Sequence, residues 1–327
     1  MKDRILELLR QESGYLSGQE MSTLLGVSRA AVWKAVEALR KEGYTIDSAP
    51  NRGYHLDAPT GRLSARDIAA RLDGHPWAEL VQVLDSVDST NNLAKTLAAQ
   101  GAPAGTVIVA DSQTGGRGRM GRSFVSPPGV GVYLSVILRP EAPPEELMHL
   151  TCAVAEVLCD GIEVASGLRP GIKWTNDLVS GGRKLCGILT ELSLEAESGH
   201  VQYAVVGAGV NCDQTLSDFP PEIRDMAGSL SMLTGKAVSR NALAAEMIRA
   251  LSRLDGDLVE NRQEWMDRYR RDCVTIGRAV SVSRAGETRW GQAVDVDDRG
   301  ALLVDFGQGP EAVQSGEVSV RGMYGYV

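Results

Sequence analysis

The sequence of 327 residues lacks any apolar run near the about 20 residues that a membrane span needs. Its first stretch, MKDRILELLRQESG, is charged throughout and has no apolar core, so it does not read as a signal peptide. Internal repeats and low-complexity tracts are also missing. With 43% hydrophobic and 23% charged residues, the composition is that of two or three folded domains. We therefore expect a cytoplasmic protein with no membrane contact.

Cysteine and histidine are scarce and scattered. The five cysteines form no C-x-x-C pair, and the four histidines show no metal-ligand spacing. An odd number of cysteines without a signal peptide indicates reduced thiols. The sequence thus argues against a disulfide framework and against a structural zinc site.

An overall positive charge is missing as well, since the net charge is −8. Any nucleic-acid contact must therefore come from a local segment. Residues 28–41 are such a segment, with four basic side chains and one acidic side chain. This local excess is what docking against phosphates requires.

The same segment lies in a pattern typical of a winged helix-turn-helix. Ser17 and Glu20 have the spacing of a capping box, Gly26 ends the helix that they start, and Ser28 begins the next helix. A hairpin that turns at 50–53 adds the wing. The predicted DNA contacts are Ser28, Arg29, Ala30, Trp33, Lys34 and Arg52. A helix-turn-helix used only for packing remains the alternative.

The stretch TGGRGRMGR, at 114–122, has the G-x-G-x-x-G spacing of a dinucleotide-binding turn. Such a turn must open into a helix, but here Pro127-Pro128-Gly129 follow, and then an apolar strand pattern. The context excludes a Rossmann turn. What remains is a glycine-rich loop with three arginines that suit phosphate or carboxylate oxygens, or else a solvated basic loop.

The rest of the chain predicts an α+β multidomain architecture. We expect a winged helix-turn-helix domain at 1–60, a linker near 56–64, a central mixed-sheet domain at 64–272 and a small SH3-like β-barrel at 274–327. Strand patterns adjoin one another more than they alternate with helices, which favours a mixed sheet over a doubly wound one. A helix is expected at 145–160, and barrel turns are expected at sites that include 285–286.

Several motifs occur together in a recognisable order: DSTNN, Q-x-x-GRGRMGR, KWTNDL, GRKLCGILTE and GAGVN. In this order they resemble the biotin protein ligases. The N-terminal SRAAVWKAVEALRKEGY and NRGYHL resemble the subclass that is also the biotin operon repressor. The resemblance spans nearly the whole chain. It implies an enzyme that makes biotinyl-5'-AMP from biotin and ATP and transfers biotin to a lysine of a biotin carboxyl carrier protein.

The resemblance also implies roles for individual residues. Lys184, Arg119 and Asp177 match catalytic positions. The matches to biotin contacts are Ser89, Thr90, Asn91, Gln113, Arg117, Gly118, Arg119, Lys184 and Gly187. The matches to adenylate contacts are Arg119, Arg122, Phe124, Asn176 and Asn211. The resemblance implies no metal site in the protein itself. Asp177 would either lie near the Mg²⁺ that ATP carries or deprotonate the incoming lysine.

Some of these residues also have plain structural readings. Alone, residues 89–91 read as a helix cap and Lys184 as a lysine at the end of a hairpin. Three positions depart from the family's pattern: Thr175 replaces a common proline, Phe124 a common tryptophan and Met120 a frequent arginine. These changes concern nucleotide affinity, and none removes a group that the chemistry requires.

Three functions remain open at this point. The first is a ligase that also binds operator DNA as an adenylate-bound homodimer. The second is a ligase whose N-terminal domain has no regulatory role. The third is a ligand-sensing transcription factor with an inactive ligase body.

Overall fold

The computed structural model describes residues 1–11, 15–41, 44, 46–49, 52–56, 62–195, 199–284, 287–314 and 319–322. The chain forms two compact units, Met1–Arg62 and Leu63–Val327. The predicted turn residues 50–51, linker residues 57–61 and turn residues 285–286 lie outside the described residues. The division into three domains stays a prediction. Among the described helices, none has the length and apolar character that would let it cross a membrane.

The first unit is the predicted helix-turn-helix with a hairpin wing. Its elements are α1 (Lys2–Gln11), α2 (Gly18–Leu25), α3 (Arg29–Lys41), β1 (Ile46–Ala49) and β2 (Gly53–Leu56). The Glu20 N–H donates to the Ser17 hydroxyl at 3.1 Å, and the Ser17 N–H donates to the Glu20 carboxylate at 2.9 Å. This capping box starts α2 as predicted, and Gly26, with a φ of 67°, ends it.

Apolar side chains of the three helices make a small core of their own. The fully buried members are Ile5, Met21, Val32 and Val36. Val32 and Val36 lie one helical turn apart, so α3 buries the face that carries them.

A mixed sheet forms the centre of the second unit. Seven strands of the described chain build it: β3 (Val81–Leu84), β4 (Val107–Ala110), β5 (Gly131–Leu138), β6 (Gly171–Lys173), β7 (Asp177–Ser180), β8 (Arg183–Leu194) and β9 (Val201–Asn211). Their order is β3-β4-β5-β9-β8-β7-β6. Only β3 and β4 run parallel, and the other neighbours are antiparallel. The predicted mixed sheet is confirmed.

Helices flank this sheet. They are α4 (Ala65–Leu72), α5 (Thr90–Ala99), α6 (Leu150–Ser166), α7 (Leu230–Thr234), α8 (Arg240–Ser252) and α9 (Arg262–Asp272). The helix expected at 145–160 starts later, because Pro143 precedes a short 3₁₀ turn at Pro144–Leu147. It also ends later, at Gly167, whose φ is 75°.

The C-terminal region is an antiparallel sheet. Its strands within the described residues are β10 (Ala279–Arg284), β11 (Glu287–Val296), β12 (Leu302–Asp305), β13 (Pro310–Val313) and β14 (Ser319–Gly322), in the order β13-β12-β11-β10-β14. Helix-turn-helix, mixed sheet and antiparallel sheet follow one another as the predicted fold class requires.

Candidate functional sites

A cavity of about 550 Å³ lies against β8 and β9. This size is typical of a small-molecule site. It brings together thirteen residues that the sequence predicted: Ser89, Thr90, Asn91, Gln113, Arg117, Gly118, Arg119, Arg122, Phe124, Asn176, Asp177, Lys184 and Gly187. They come from the start of α5, the glycine-rich loop at 114–122 (the arginine loop) and its flanks, the segment from the end of β6 to the start of β7, and the first half of β8.

Glycines form the floor of the cavity, where β8 and β9 pair. Gly187 lies opposite Gly209, and Gly207 is the next residue on the same face of β9. A Cβ at Gly207 would lie 2.0 Å from the Asn91 Oδ1, and one at Gly209 would lie 2.5 Å from the Phe124 ring. Glycine is therefore required for Asn91 and Phe124 to reach the backbone of the sheet.

The start of α5 is held by a side chain from a different segment. Ser89 occupies the cap position but makes no side-chain cap bond. Instead the Thr90 N–H donates to the Gln113 Oε1 at 2.9 Å, and the Gln113 Nε2 donates to the Ser126 hydroxyl at 2.9 Å. Ser89 is therefore the N-cap residue of α5, as residues 89–91 predicted, but the side-chain bond to the first turn comes from Gln113. Gln113 joins the helix to the base of the arginine loop.

Asn91 is fixed between β5 and β8. Its Oδ1 accepts from the Ser135 hydroxyl at 2.6 Å, and its Nδ2 donates to the Leu189 carbonyl at 3.2 Å and to the Glu191 carboxylate at 2.9 Å. The side chain is 4% exposed. This end of the cavity consequently presents rigid, neutral amide and hydroxyl groups.

Arg119 lies at the other end of the cavity. Its guanidinium donates to the Asn176 Oδ1 at 2.9 Å, and the Asn176 Nδ2 donates to the Ile188 carbonyl at 2.8 Å. Asn176 therefore orients the arginine against β8. Burial lowers the pKa of Arg119, although the nearby charge of Asp177 opposes that change. An arginine still stays ionised, so Arg119 provides a partly desolvated positive charge.

Lys184 and Asp177 form an ion pair in the same end of the cavity, with 2.6 Å between Nζ and Oδ1. The backbone of Lys184 is held as well: its N–H donates to the Met226 carbonyl at 2.7 Å, and its carbonyl accepts from the Gly228 N–H at 3.0 Å. The lysine is thus a fixed part of the wall, with its ammonium directed to a neighbouring carboxylate of the cavity.

Charge in the cavity is opposite in sign to that of the chain. Among the lining residues that the structure describes, five carry a positive charge and one is a carboxylate. The cations are Arg117, Arg119, Arg122, Lys173 and Lys184, and the carboxylate is Asp177. An excess of fixed cations is suited to ligands that carry several negative charges.

Comparisons of sequence and fold place the chain in a known family. The Biotin/lipoate A/B protein ligase family matches residues 83–211, an HTH domain matches 2–55, and the Biotin protein ligase C terminal domain matches 275–321. The bifunctional ligase/repressor BirA of Bacillus subtilis is 35% identical over 98% of both chains. That of Escherichia coli is 30% identical over 98% of this chain and 99% of its own. The chain belongs to the biotin protein ligase family.

A solved structure of this family has the same fold. Biotin protein ligase from Aquifex aeolicus, in complex with biotin and ATP, matches with a TM-score of 0.64 and 28% identity. The match covers 74% of this chain and 98% of the Aquifex chain.

One predicted contact of the ligase site is absent from the cavity. Asn211 is 5% exposed and does not line the cavity in the described structure. Its Nδ2 donates to the Gly228 carbonyl at 3.0 Å, and its Oδ1 accepts from Gln214 at 3.2 Å. Both ends of its amide are thus bonded inside the fold, and the adenylate contact of Asn211 stays a prediction.

The cavity also contains residues that sequence reasoning missed. They are Met120, Ser123, Lys173, Trp174, Ile188, Leu189, Gly207, Ala208, Gly209 and Met226. The alternating glycines of GAGVN were a usable signal for the floor, because glycine in a strand marks a close approach of another group. Met226 gave no signal, because it reaches the cavity through a long loop.

The ligase family's N-terminal domain presents a second candidate surface. All five predicted DNA contacts on or beside α3 are exposed: Ser28, Arg29, Ala30, Trp33 and Lys34. The Ser28 hydroxyl also accepts from the Ala31 N–H at 3.2 Å, so it starts α3. In the wing, the Arg52 guanidinium lies 4.2 Å from the centre of the Tyr15 ring.

One basic residue of this helix has a different role from the one that its charge suggested. The Arg40 Nε donates to the Ile46 carbonyl at 2.9 Å, and its Nη1 pairs with Glu37 at 2.7 Å. Arg40 therefore holds α3 against β1. The positive excess of residues 28–41 is unchanged, because Arg40 and Glu37 offset each other.

The thiols of the protein are predicted to be inert. The five cysteines are free and buried, and burial raises the pKa of Cys152 and Cys186 to about 12. At about pH 8 these groups stay protonated, and a thiol is a poor nucleophile. We expect iodoacetamide to label none of them in the folded protein and all of them in guanidinium chloride. Rapid native labelling of Cys186, which lies two residues from Lys184, would contradict this account.

Proposed function

We propose that this protein activates biotin with ATP and transfers it to a lysine of a biotin carboxyl carrier protein, and that it represses transcription as an adenylate-bound dimer. The observation that carries the first part is the cavity itself. It has a neutral, hydrogen-bonding end at Asn91 and a cationic end at Arg119 and Lys184. Biotin has the same division, with a neutral ureido ring at one end and a carboxylate at the other.

In the first step, an oxygen of the biotin carboxylate attacks the α-phosphorus of ATP. A new O–P bond forms, the bond to the bridging oxygen of pyrophosphate breaks, and pyrophosphate leaves with that electron pair. Both reactants are anionic, so the step needs fixed positive charge around the phosphorus. Arg119 and Lys184 supply it, and Asn176 keeps Arg119 in place.

The remaining assignments follow the walls of the cavity. Biotin would contact Ser89, Thr90, Asn91, Gln113, Arg117, Gly118 and Gly187, together with the two catalytic cations. The adenylate would contact Arg119, Arg122, Phe124 and Asn176, and Asn211 is the further contact that the resemblance implies. The Phe124 ring packs on the glycine floor and would give the adenylate an aromatic surface. The ring is smaller than that of tryptophan and lacks its N–H donor.

In the second step, the amine of the acceptor lysine attacks the acyl carbon of biotinyl-5'-AMP. An amide bond forms, AMP leaves, and the amine loses a proton. Asp177 is the carboxylate closest to this chemistry, since it lies 2.6 Å from Lys184. We propose that it accepts the proton or orients the incoming amine.

ATP would enter as its magnesium complex, in which Mg²⁺ neutralises charge on the phosphates. The cavity fits an ion that arrives on the nucleotide, because such an ion needs only one or two protein carboxylates and Asp177 lines the wall. Within the described residues, no group of three or more acidic, histidine or cysteine side chains could hold a metal ion by itself.

The activation step is tested by biotin-dependent release of pyrophosphate from MgATP without any acceptor protein. We expect Lys184→Ala to lower this rate by about 100-fold, because the variant removes one charge aimed at the reacting phosphate. The matched control is Lys236→Ala, which changes an exposed lysine outside the cavity. No biotin-dependent release from the unchanged protein would exclude the proposed activity, and an unchanged rate in Lys184→Ala would exclude the role of that lysine.

The regulatory part rests on the exposed face of α3. With Arg40 engaged inside the domain, one N-terminal domain offers only a few free positive charges to DNA. A single domain would bind weakly, and a homodimer that spans two half-sites would bind more tightly. Dimerisation would therefore control DNA binding, and we propose that the adenylate promotes dimerisation. Sedimentation with and without adenylate tests this proposal. A dimerisation constant that does not change with adenylate leaves only the ligase activity.

A salt titration separates the docking arginine from the structural one. For a duplex from the region upstream of the gene, Arg29→Ala is expected to lower the slope of log affinity against log salt by about one. Arg40→Ala is the control on the same helix, and it should lower the stability of the domain while the slope stays the same. Equal slope changes in the two variants would show that α3 does not contact DNA as proposed.

A further inference from the structure

Arg117 is directed away from the cationic end of the cavity. Its Nη1 donates to the Asn92 Oδ1 at 3.0 Å and to the two carboxylate oxygens of Glu191 at 3.1 and 3.2 Å. Asn92 belongs to α5 and Glu191 belongs to β8. One side chain of the arginine loop therefore bridges two separate walls of the unit.

Neighbouring side chains orient Glu191 and keep it ionised for this contact. It accepts from the Lys95 Nζ at 2.8 Å and from the Asn91 Nδ2 at 2.9 Å, and its side chain is 22% exposed. Burial raises the pKa of Glu191, but the hydrogen bonds from Lys95 and Asn91 and the charge of Arg117 outweigh burial, so the net pKa is lowered. The carboxylate is ionised and accepts from three side chains, two on α5 and one on the arginine loop.

Hydrogen bonds join the two sides of the arginine loop, but few contacts connect its tip to the walls of the cavity. Arg117 pairs with Ser123 across the loop, and the Gly118 N–H donates to the Arg122 carbonyl at 2.7 Å. The tip is then joined outward by Arg119, which bonds to Asn176, and by Arg117, which bonds to α5 and β8. Each arginine secures one side of the loop.

We propose that Glu191 is a positioning residue, which acts through Arg117 to hold the arginine loop closed over the neutral end of the cavity. Because the same carboxylate orients Asn91, loop closure and the orientation of Asn91 depend on one group. The consequence for biotin rests on the proposed function, but the consequence for the loop does not. In this account Arg117 secures the loop, whereas Arg119 acts on the reacting groups.

The first readout needs no ligand. Trypsin cleavage within residues 117–122 of the full-length protein reports how often the loop opens. Glu191→Gln removes the charge that holds Arg117, so cleavage at Arg119 and Arg122 should become about fivefold faster. Arg117→Gln, on the loop itself, should give the same increase without affecting the fold.

Lys95→Gln is the matched control. Lys95 binds the same carboxylate at 2.8 Å but lies on α5, outside the loop. If Glu191 only stabilised its surroundings, loss of either cation would have a similar effect. We expect Lys95→Gln to leave loop cleavage unchanged, since Arg117 keeps its partner.

The second readout is the dissociation rate of biotin, followed with labelled biotin and an excess of unlabelled ligand. Glu191→Gln should accelerate dissociation about fivefold, and the double variant with Arg117→Gln should be no faster than either single variant. Additive effects, or loop cleavage that is equal in Glu191→Gln and the unchanged protein, overturn the proposal. Absence of biotin binding to the unchanged protein would refute the ligase function and leave the trypsin test of the loop intact.

Discussion

A patch of sheet without side chains is the constraint on which the functional site depends. Where β8 and β9 pair, Gly187, Gly207 and Gly209 leave the backbone bare on one face. Asn91 and Phe124 then approach the sheet more closely than any Cβ would permit. Because β8 also carries Lys184 before this patch and Glu191 after it, the pairing of two strands sets the distances among most of the groups that act on a ligand.

The hydrogen bonds around this floor divide the cavity by polarity. At one end, Gln113 bonds to Thr90 and Ser126, and Ser135 donates to Asn91, so neutral groups meet there. At the other end, Arg119 and Lys184 are held by Asn176 and Asp177. A ligand with a neutral ring and an anionic tail would therefore bind in one direction. The net negative charge of the chain gives no hint of this local arrangement.

Short sequence patterns predicted the structural features that depend on neighbouring residues. The capping box of Ser17 and Glu20 and the apolar face of α3 formed as expected, since each depends on residues within two or three turns. The grouping of thirteen predicted residues in one cavity followed from the family resemblance, because no periodicity of the chain brings 89–91, 117–124 and 176–187 together.

Long-range hydrogen bonds account for what the sequence could not predict. Gln113 caps a helix that begins 23 residues earlier, and the Asn211 amide bonds to Gln214 and Gly228 inside the fold. The sequence also did not reveal the partners of two charged side chains. Arg40 donates to the Ile46 carbonyl, and Glu191 pairs with Arg117, and both contacts form only in the folded structure. A charged side chain read from sequence alone does not reveal whether it faces a ligand or the protein.

The glycine floor is the central claim, and Gly209→Ala tests it most directly. The added methyl group would lie 2.5 Å from the Phe124 ring, so the ring must leave the floor. Titration calorimetry with biotin and with MgATP is the measurement, and Gly18→Ala, whose methyl group would meet only Tyr54 at an ordinary 3.4 Å, is the control. The account predicts that Gly209→Ala loses affinity for both ligands while the control keeps it. Affinities in Gly209→Ala equal to those of the unchanged protein would contradict the account.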